Sequence, residues 1–176
     1  MGNEGLRNII LVGFMGTGKS TVGALLAKQL GWEIVDVDAE IVQSEGRAIA
    51  DIFEKDGEAA FRAIETAVLE KLLTDSRKLI IAAGGGAVLA ERNRELMLKH
   101  GLVVALTATA EQIVERVKHD TARPLLQGDV KARVELLMEQ RKHAYDFAPV
   151  AVDTTARSAA EVAAAITEQL ETRIQL

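Results

Sequence analysis

The sequence contains no cysteine, and this absence excludes several classes of protein. Disulfide-stabilised folds, thiolate zinc sites, iron–sulfur clusters and cysteine nucleophiles all require thiols. Proline occurs only 2 times in 176 residues, and no period of about 20–50 residues recurs, which argues against collagen-like and repeat architectures. No apolar run approaches the roughly 18–20 residues of a membrane span, and the first apolar stretch is too short for a signal peptide. We therefore expect a cytoplasmic protein with no membrane partner.

Positive charge and aromatic side chains are also scarce. The net charge is −5, and the only aromatic residues are 4 Phe, 1 Trp and 1 Tyr. These properties disfavour nucleic acid as a partner, because such proteins usually carry basic surfaces and stacking platforms. An anionic ligand would need cations collected locally. With 48% hydrophobic and 27% charged residues, the chain has the composition of one globular domain spanning 1–176.

Short apolar runs alternate with helical patterns, which predicts a three-layer α/β/α fold around a five-stranded parallel sheet. The predicted strands are 8–12, 33–37, 79–83, 102–106 and 150–153. The predicted helices are 19–30, 38–45, 49–55, 58–73, 90–100, 109–118, 130–146 and 158–170. Residues 119–129 interrupt the pattern and include one of the two prolines, so we expect a mobile segment there.

The segment GFMGTGKS at 13–20 matches the phosphate-loop pattern G-x-x-x-x-G-K-[ST]. It follows a predicted strand and opens a predicted helix, which is the context that supports the match. Glycines allow backbone N–H groups to close on phosphate oxygens, Lys19 can reach the β- and γ-phosphates, and Ser20 can ligate Mg²⁺. We therefore predict a bound nucleoside triphosphate. Its expected contacts are Gly13, Met15, Gly16, Thr17, Gly18, Lys19, Ser20 and Thr21.

Two carboxylates, Asp36 and Asp38, are placed at the end of the second predicted strand. Side chains two residues apart on a strand share a side, and strand carboxyl ends face the ligand crevice of such sheets. Asp36 could then hold Mg²⁺ through water, and Asp38 could accept a proton or hydrogen bond from an acceptor hydroxyl. The simpler alternative is an aspartate that caps the next helix.

Arginines and glycines downstream suggest a site for a phosphate acceptor. Arg62 and Glu65 lie one helical turn apart and can pair, although a surface ion pair would give the same spacing. The glycines at 84–86 end the third predicted strand, where backbone must approach a ligand closely or simply turn.

Three further arginines follow. Arg123 lies in the expected mobile segment, with Arg116 just before it, and an arginine over a phosphate loop suits a transferring phosphoryl group. Arg141 precedes Tyr145 by one turn of the predicted helix, so both would face one way. The alternatives are a solvated loop charge for Arg123, and an exposed arginine beside a core tyrosine for Arg141.

Taken together, these motifs resemble those of shikimate kinases, a P-loop family similar to nucleoside-monophosphate kinases. The resemblance runs from Ile9 to about Ile174. It rests on GFMGTGKS (13–20), DVD (36–38), FRAIE (61–65), GGG (84–86), RPLL (123–126) and RKHAY (141–145). It implies a P-loop fold with strand order 2-3-1-4-5, acceptor-binding helices at about 38–65, a mobile lid at about 119–129, and a monomer. The implied reaction is transfer of the ATP γ-phosphate to the 3-hydroxyl of shikimate.

The resemblance also assigns roles to individual residues. It implies that Asp38, Lys19 and Arg123 are catalytic, and that Ser20 and Asp36 serve one Mg²⁺ ion. Shikimate would be bound by Asp38, Arg62, Gly84, Gly85, Gly86 and Arg141. Arg116 would lie over the adenine, and we place Arg157 near it. Two alternatives remain at this stage: a gluconate kinase-like enzyme, whose substrate is also a hydroxylated carboxylate, and a nucleotide-dependent binding module without turnover.

Overall fold

The computed structural model describes residues 7–118 and 128–174, which form a parallel sheet flanked by helices. The strands are β1 (Asn8–Gly13), β2 (Glu33–Asp36), β3 (Leu79–Ala82), β4 (Leu102–Thr107) and β5 (Val150–Asp153). Their order in the sheet is β2-β3-β1-β4-β5, and every pairing is parallel. This confirms the predicted fold class and the strand order that the resemblance implied.

The helices cover both faces of this sheet. They are α1 (Lys19–Leu30), α2 (Val37–Glu45), α3 (Ile49–Asp56), α4 (Glu58–Leu73), α5 (Glu91–His100), α6 (Ala110–Val117), α7 (Val130–Gln140) and α8 (Ala159–Ile174). One 3₁₀ turn, Ala87–Leu89, follows β3. Among these elements, none is a helix long and apolar enough to cross a membrane.

Strand β1 lies at the centre of the sheet, and its residues after Asn8 are apolar or glycine, while the Asn8 side chain bonds to the carbonyl of His100 at 2.9 Å. All six of its residues are buried. Ile10 packs in one hydrophobic cluster with Leu69 of α4, while Leu11 packs in another with Leu26 of α1 and Ile166 of α8. Alternate side chains thus enter opposite layers, as expected for a parallel sheet between two helix layers.

Local capping explains why several helix ends fall where the sequence predicts them. Gly31 ends α1 with a φ of 67°, and its N–H bonds to the carbonyl of Ala27. Thr109 caps α6 by accepting from the N–H of Gln112 at 3.3 Å. Ser158 and Glu161 exchange side-chain to backbone hydrogen bonds of 3.1 and 3.3 Å at the start of α8.

Two predicted boundaries that matter for the site are wrong. Strand β2 ends at Asp36, whose carboxylate accepts from the N–H of Ala39 at 3.1 Å, so α2 begins at Val37. Asp38 lies in the first turn of α2, so the expectation that Asp36 and Asp38 share a side by strand alternation is wrong. Helix α7 ends at Gln140, six residues earlier than predicted, because Arg141 leaves helical geometry with φ −107° and ψ 11°. Of the expected lid, residues 119–127 lie outside the described part of the chain.

Candidate active site

A cavity of about 370 Å³ opens where β1, β2 and β3 end. Parallel α/β sheets commonly bind ligands at this edge. The cavity is lined by Met15, Gly16, Gly18, Lys19, Ser20, Thr21, Asp36, Asp38, Ala82, Ala83, Gly84, Gly85 and Arg116. Most residues of the predicted phosphate loop and both predicted carboxylates therefore share one space.

The phosphate loop connects β1 to α1 in a conformation that glycine makes possible. Gly16 and Gly18 have φ values of 78° and 95°, which lie in the left-handed region. The Lys19 ammonium donates to the carbonyls of Gly13 and Phe14 at 2.8 and 2.9 Å, so it lies across the loop. Helix α1 begins without a side-chain cap. A loop of this kind presents backbone N–H groups and a lysine to an anion.

Asp36 caps α2, which was the simpler alternative considered for it, and it also contacts the phosphate loop. One carboxylate oxygen caps α2 at Ala39, and the other accepts from the Ser20 hydroxyl at 3.0 Å. The pair places two oxygen ligands beside the phosphate loop, which is the donor type that Mg²⁺ prefers. In residues 7–118 and 128–174 no group of three or more His, Asp or Glu side chains forms a metal cage. This arrangement fits Mg²⁺ held largely by phosphate oxygens and water.

Two further carboxylates meet at Gly84. A Cβ atom on Gly84 would lie 3.2 Å from Asp38 Oδ1 and 3.1 Å from Glu65 Oε2. Glu65 is 1% exposed. Burial raises its pKa, the Arg62 guanidinium lowers it, and the Asp38 carboxylate raises it again. The absence of a side chain at Gly84 thus lets the backbone pass between two acidic groups.

Arg62 lies against the next part of the same glycine turn. Its Nη1 donates to Glu65 Oε1 at 2.9 Å, and its Nη2 lies 3.4 Å from Glu58 Oε1. The predicted pairing of Arg62 with Glu65 is therefore confirmed, but it is anchored on a buried carboxylate and is not a simple surface ion pair. A Cβ atom on Gly86 would collide with the Arg62 guanidinium, so a larger residue there would require this end of the arginine side chain to move.

Arg141 approaches the turn from the other side. It is 6% exposed, and its Nη1 has no hydrogen-bond partner among the described residues. Its guanidinium carbon lies 5.9 Å from the centre of the Phe14 ring. The interpretation of Arg141 as an exposed arginine is therefore wrong, and so is its placement within a helix, because it follows the end of α7.

Tyr145 fixes the middle of the glycine turn. Its hydroxyl donates to the carbonyl of Gly85 at 2.7 Å, and burial raises its pKa. A Cβ atom on Gly85 would lie 3.5 Å from Arg141 Nη1. Residues 84–86 thus lie against Arg62 and Arg141, although these two arginines and Gly86 do not line the 370 Å³ cavity themselves.

A second cavity of about 210 Å³ adjoins the start of α1. It is lined by Thr17, Gly18, Thr21, Val22, Arg116, Thr154, Arg157, Ala159 and Val162. Arg116 and Arg157 both line this cavity, while their expected place near an adenine stays a prediction. Arg116 also donates to the carbonyl of Gly16 at 2.8 Å and lines the larger cavity. Arg123, which the sequence places in the lid, lies outside the described residues.

Sequence reasoning missed two features of this edge. Thr154 is buried beside the phosphate loop, and its position directly after β5 was the available indication. The bond from Tyr145 to Gly85 was also missed, because it joins residues 60 positions apart.

A phosphate loop at the carboxyl edge of this sheet, with arginines across from it, defines a P-loop kinase. The family model described as "Shikimate kinase" matches residues 15–171. The chain belongs to the shikimate kinase family.

Comparison with individual proteins agrees with this assignment. The chain is 46% identical over 169 residues to a shikimate kinase of Geobacter metallireducens, covering 96% of this chain and 94% of that protein. A solved shikimate kinase from Acinetobacter baumannii in complex with shikimate is 39% identical, with a TM-score of 0.91 and coverage of 97% and 96%. A gluconokinase from Sinorhizobium meliloti, 20% identical with a TM-score of 0.62 and coverage of 96% and 93%, shares the fold alone.

Proposed function

We propose that the protein transfers the γ-phosphate of ATP to the 3-hydroxyl of shikimate, giving shikimate 3-phosphate and ADP for aromatic amino-acid biosynthesis. The observation that carries this proposal is the pair of arginines, Arg62 and Arg141, held against a glycine turn that borders the phosphate-loop cavity. Shikimate is a small polyol with one carboxylate. Family membership supports a cytoplasmic enzyme, and we expect a monomer.

The nucleotide half of the site follows from the loop and its neighbours. Lys19 and the loop N–H groups would bind the phosphates, and the 210 Å³ cavity beside Arg116 and Arg157 would take the adenine. Ser20 and, through water, Asp36 would hold one Mg²⁺ ion, whose charge would help neutralise the phosphates of ATP. Arg123 would contact the transferring phosphoryl group from the lid.

The acceptor half follows from the groups around the glycine turn. A planar guanidinium meets a carboxylate with two parallel hydrogen bonds, so Arg62 and Arg141 would orient the acceptor as well as attract it. Asp38 would accept a hydrogen bond from the attacking hydroxyl and hold it toward the phosphate. Glu65 keeps Arg62 in place through the bond at 2.9 Å. Because phosphoryl transfer has a loose transition state, positioning and charge are the main requirements.

The test is ADP release from ATP and Mg²⁺ with shikimate, gluconate or quinate as acceptor, beside a blank without acceptor. We expect turnover with shikimate well above the other three reactions. The matched variant is Asp38→Asn, which keeps the shape of the side chain and should lower kcat while ATP affinity stays close to wild type. Turnover with gluconate alone, or ATP binding without acceptor-dependent turnover, would overturn the proposal.

A further inference from the structure

One buried hydroxyl lies between the two cavities, where no role has yet been given to it. Thr154 directly follows β5 and is 3% exposed. It lines the 210 Å³ cavity and not the 370 Å³ cavity. A threonine buried to this degree needs partners for its polar atoms, because an unpaired buried group is costly.

Thr154 finds its partners on three separate elements. Its Oγ1 lies within donating distance of two carbonyls, at 3.1 Å from Thr17 in the phosphate loop and 3.0 Å from Thr107 at the end of β4. The same oxygen accepts from Arg116 Nη1 at 3.3 Å. Because a hydroxyl has one proton, the two carbonyls share or alternate that donor.

The backbone of Thr154 reinforces these contacts. Its N–H donates to the carbonyl of Thr107 at 2.7 Å, and its own carbonyl accepts from Arg116 Nη2 at 3.2 Å and from the N–H of Arg157 at 3.4 Å. Arg116 in turn donates to the carbonyl of Gly16 at 2.8 Å. The contacts therefore close a ring that runs from the phosphate loop through Thr154 and Arg116 back to the phosphate loop.

This ring connects the phosphate loop to Thr154 and Arg116, which line the smaller cavity. The two side chains in this ring belong to Thr154 and Arg116. Substituting Thr154 changes the ring without removing the positive charge of Arg116. None of its contacts reaches the glycine turn at 84–86. Losing the hydroxyl should therefore affect the nucleotide and leave the acceptor unaffected.

We propose that Thr154 is a positioning residue for the nucleotide, whose hydroxyl holds the phosphate loop in register with the base cavity and keeps the Arg116 guanidinium oriented. The proposal rests on the proposed function, since it assigns the 210 Å³ cavity to the base of ATP.

The test compares Thr154→Val, which keeps the shape and removes the hydroxyl, with Thr154→Ser, which keeps the hydroxyl. We expect Thr154→Val to raise the KM for ATP and the Kd of ADP about tenfold, the loss of a buried hydrogen bond. The KM for shikimate should change less than twofold, and Thr154→Ser should restore most of the ATP affinity. Thr167→Val is the matched control, because that hydroxyl donates within α8, to the carbonyl of Ala163 at 3.0 Å.

The outcomes separate this proposal from the proposed function. If the wild-type protein shows no shikimate-dependent ADP release, the proposed function fails. If the wild-type protein turns over and Thr154→Val lowers only Tm, with the KM for ATP and the ADP Kd unchanged, Thr154 is merely structural and the positioning proposal is overturned. If Thr154→Val raises the KM for ATP and the KM for shikimate equally, the positioning proposal is also overturned. Should Thr154→Val not fold, Thr154→Ala measured below its own Tm provides the same comparison.

Discussion

Arg141 offers a test in which stability and binding move in opposite directions. Its guanidinium is 6% exposed, and its Nη1 has no partner in the part of the chain that the structure describes. The Nη1 atom is therefore buried without a hydrogen bond, and under the proposed function the shikimate carboxylate would supply one. Arg141→Met, which keeps the apolar stem and removes the charged end, should therefore stabilise the free protein and weaken shikimate binding.

The magnitude follows from three contributions. A buried donor without a partner costs about 1–3 kcal/mol. The Phe14 ring, 5.9 Å from the guanidinium carbon, offsets about 0.5–1 kcal/mol of this cost. Interactions of Arg141 with the buried Glu65 and with the Tyr145 hydroxyl offset a further part, although Arg62 still pairs with Glu65 in the variant. We therefore expect the free energy of unfolding of Arg141→Met to exceed that of the wild type by about 1 kcal/mol. In a chain of this size this raises Tm by about 2–4 °C.

The assays are thermal unfolding without ligand and calorimetric titration with shikimate. Shikimate affinity should fall by about 2–5 kcal/mol, which is about 30-fold or more in Kd. Lys142→Met is the matched control, because Lys142 is exposed and pairs with Glu139 at the surface; both readouts should stay close to wild type. A lower Tm for Arg141→Met, or an unchanged shikimate Kd, would refute the reasoning.

Three other predictions concern Tyr145, Glu65 and Arg123. Tyr145→Phe removes the donor to the Gly85 carbonyl. The KM for shikimate should therefore rise by roughly three- to tenfold, while ATP affinity is retained. An equal KM for shikimate in the variant and the wild type would contradict this prediction. The pKa of Glu65 is raised by burial, so the folded state binds the proton more tightly than the unfolded state. The stability of wild type relative to Glu65→Gln should be greatest below the usual carboxyl pKa of about 4.5 and decline as pH rises above it. Denaturant unfolding across pH 4–8 measures this difference, and a flat profile rejects the burial argument. Arg123→Ala should lower kcat on the order of 10³-fold while shikimate affinity holds; a loss within a few-fold contradicts the lid assignment.

The parts of the fold that the sequence predicted well are those controlled by local rules. Helix α1 and helix α4 have their predicted bounds, because glycine, charge and apolar spacing mark them within a few residues. The end of α7 was not predictable in this way, since residues 141–146 continue a helical pattern. The Tyr145 hydroxyl instead bonds to Gly85, a contact that only the folded sheet edge makes available.

In the candidate site, too, features set by local sequence were predictable, and features set by long-range contacts were not. The phosphate loop was predictable because its chemistry depends on neighbouring residues in one segment. The type of each acceptor-side residue was also predictable, but its burial was not. Glu65 is buried close to Gly84, and Arg141 is buried just after the end of α7. Long-range packing of this kind decides which charges are solvated, and composition and spacing do not report it.

The most direct test of the central claim is to identify the product of a complete turnover. The protein is incubated with ATP, Mg²⁺ and shikimate, and the product is analysed by phosphorus and proton NMR. We predict one new phosphate ester whose phosphorus couples to the proton on C3 of the shikimate ring, formed in equal amount to ADP. ADP formed without an ester, or an ester on another hydroxyl, would contradict the account.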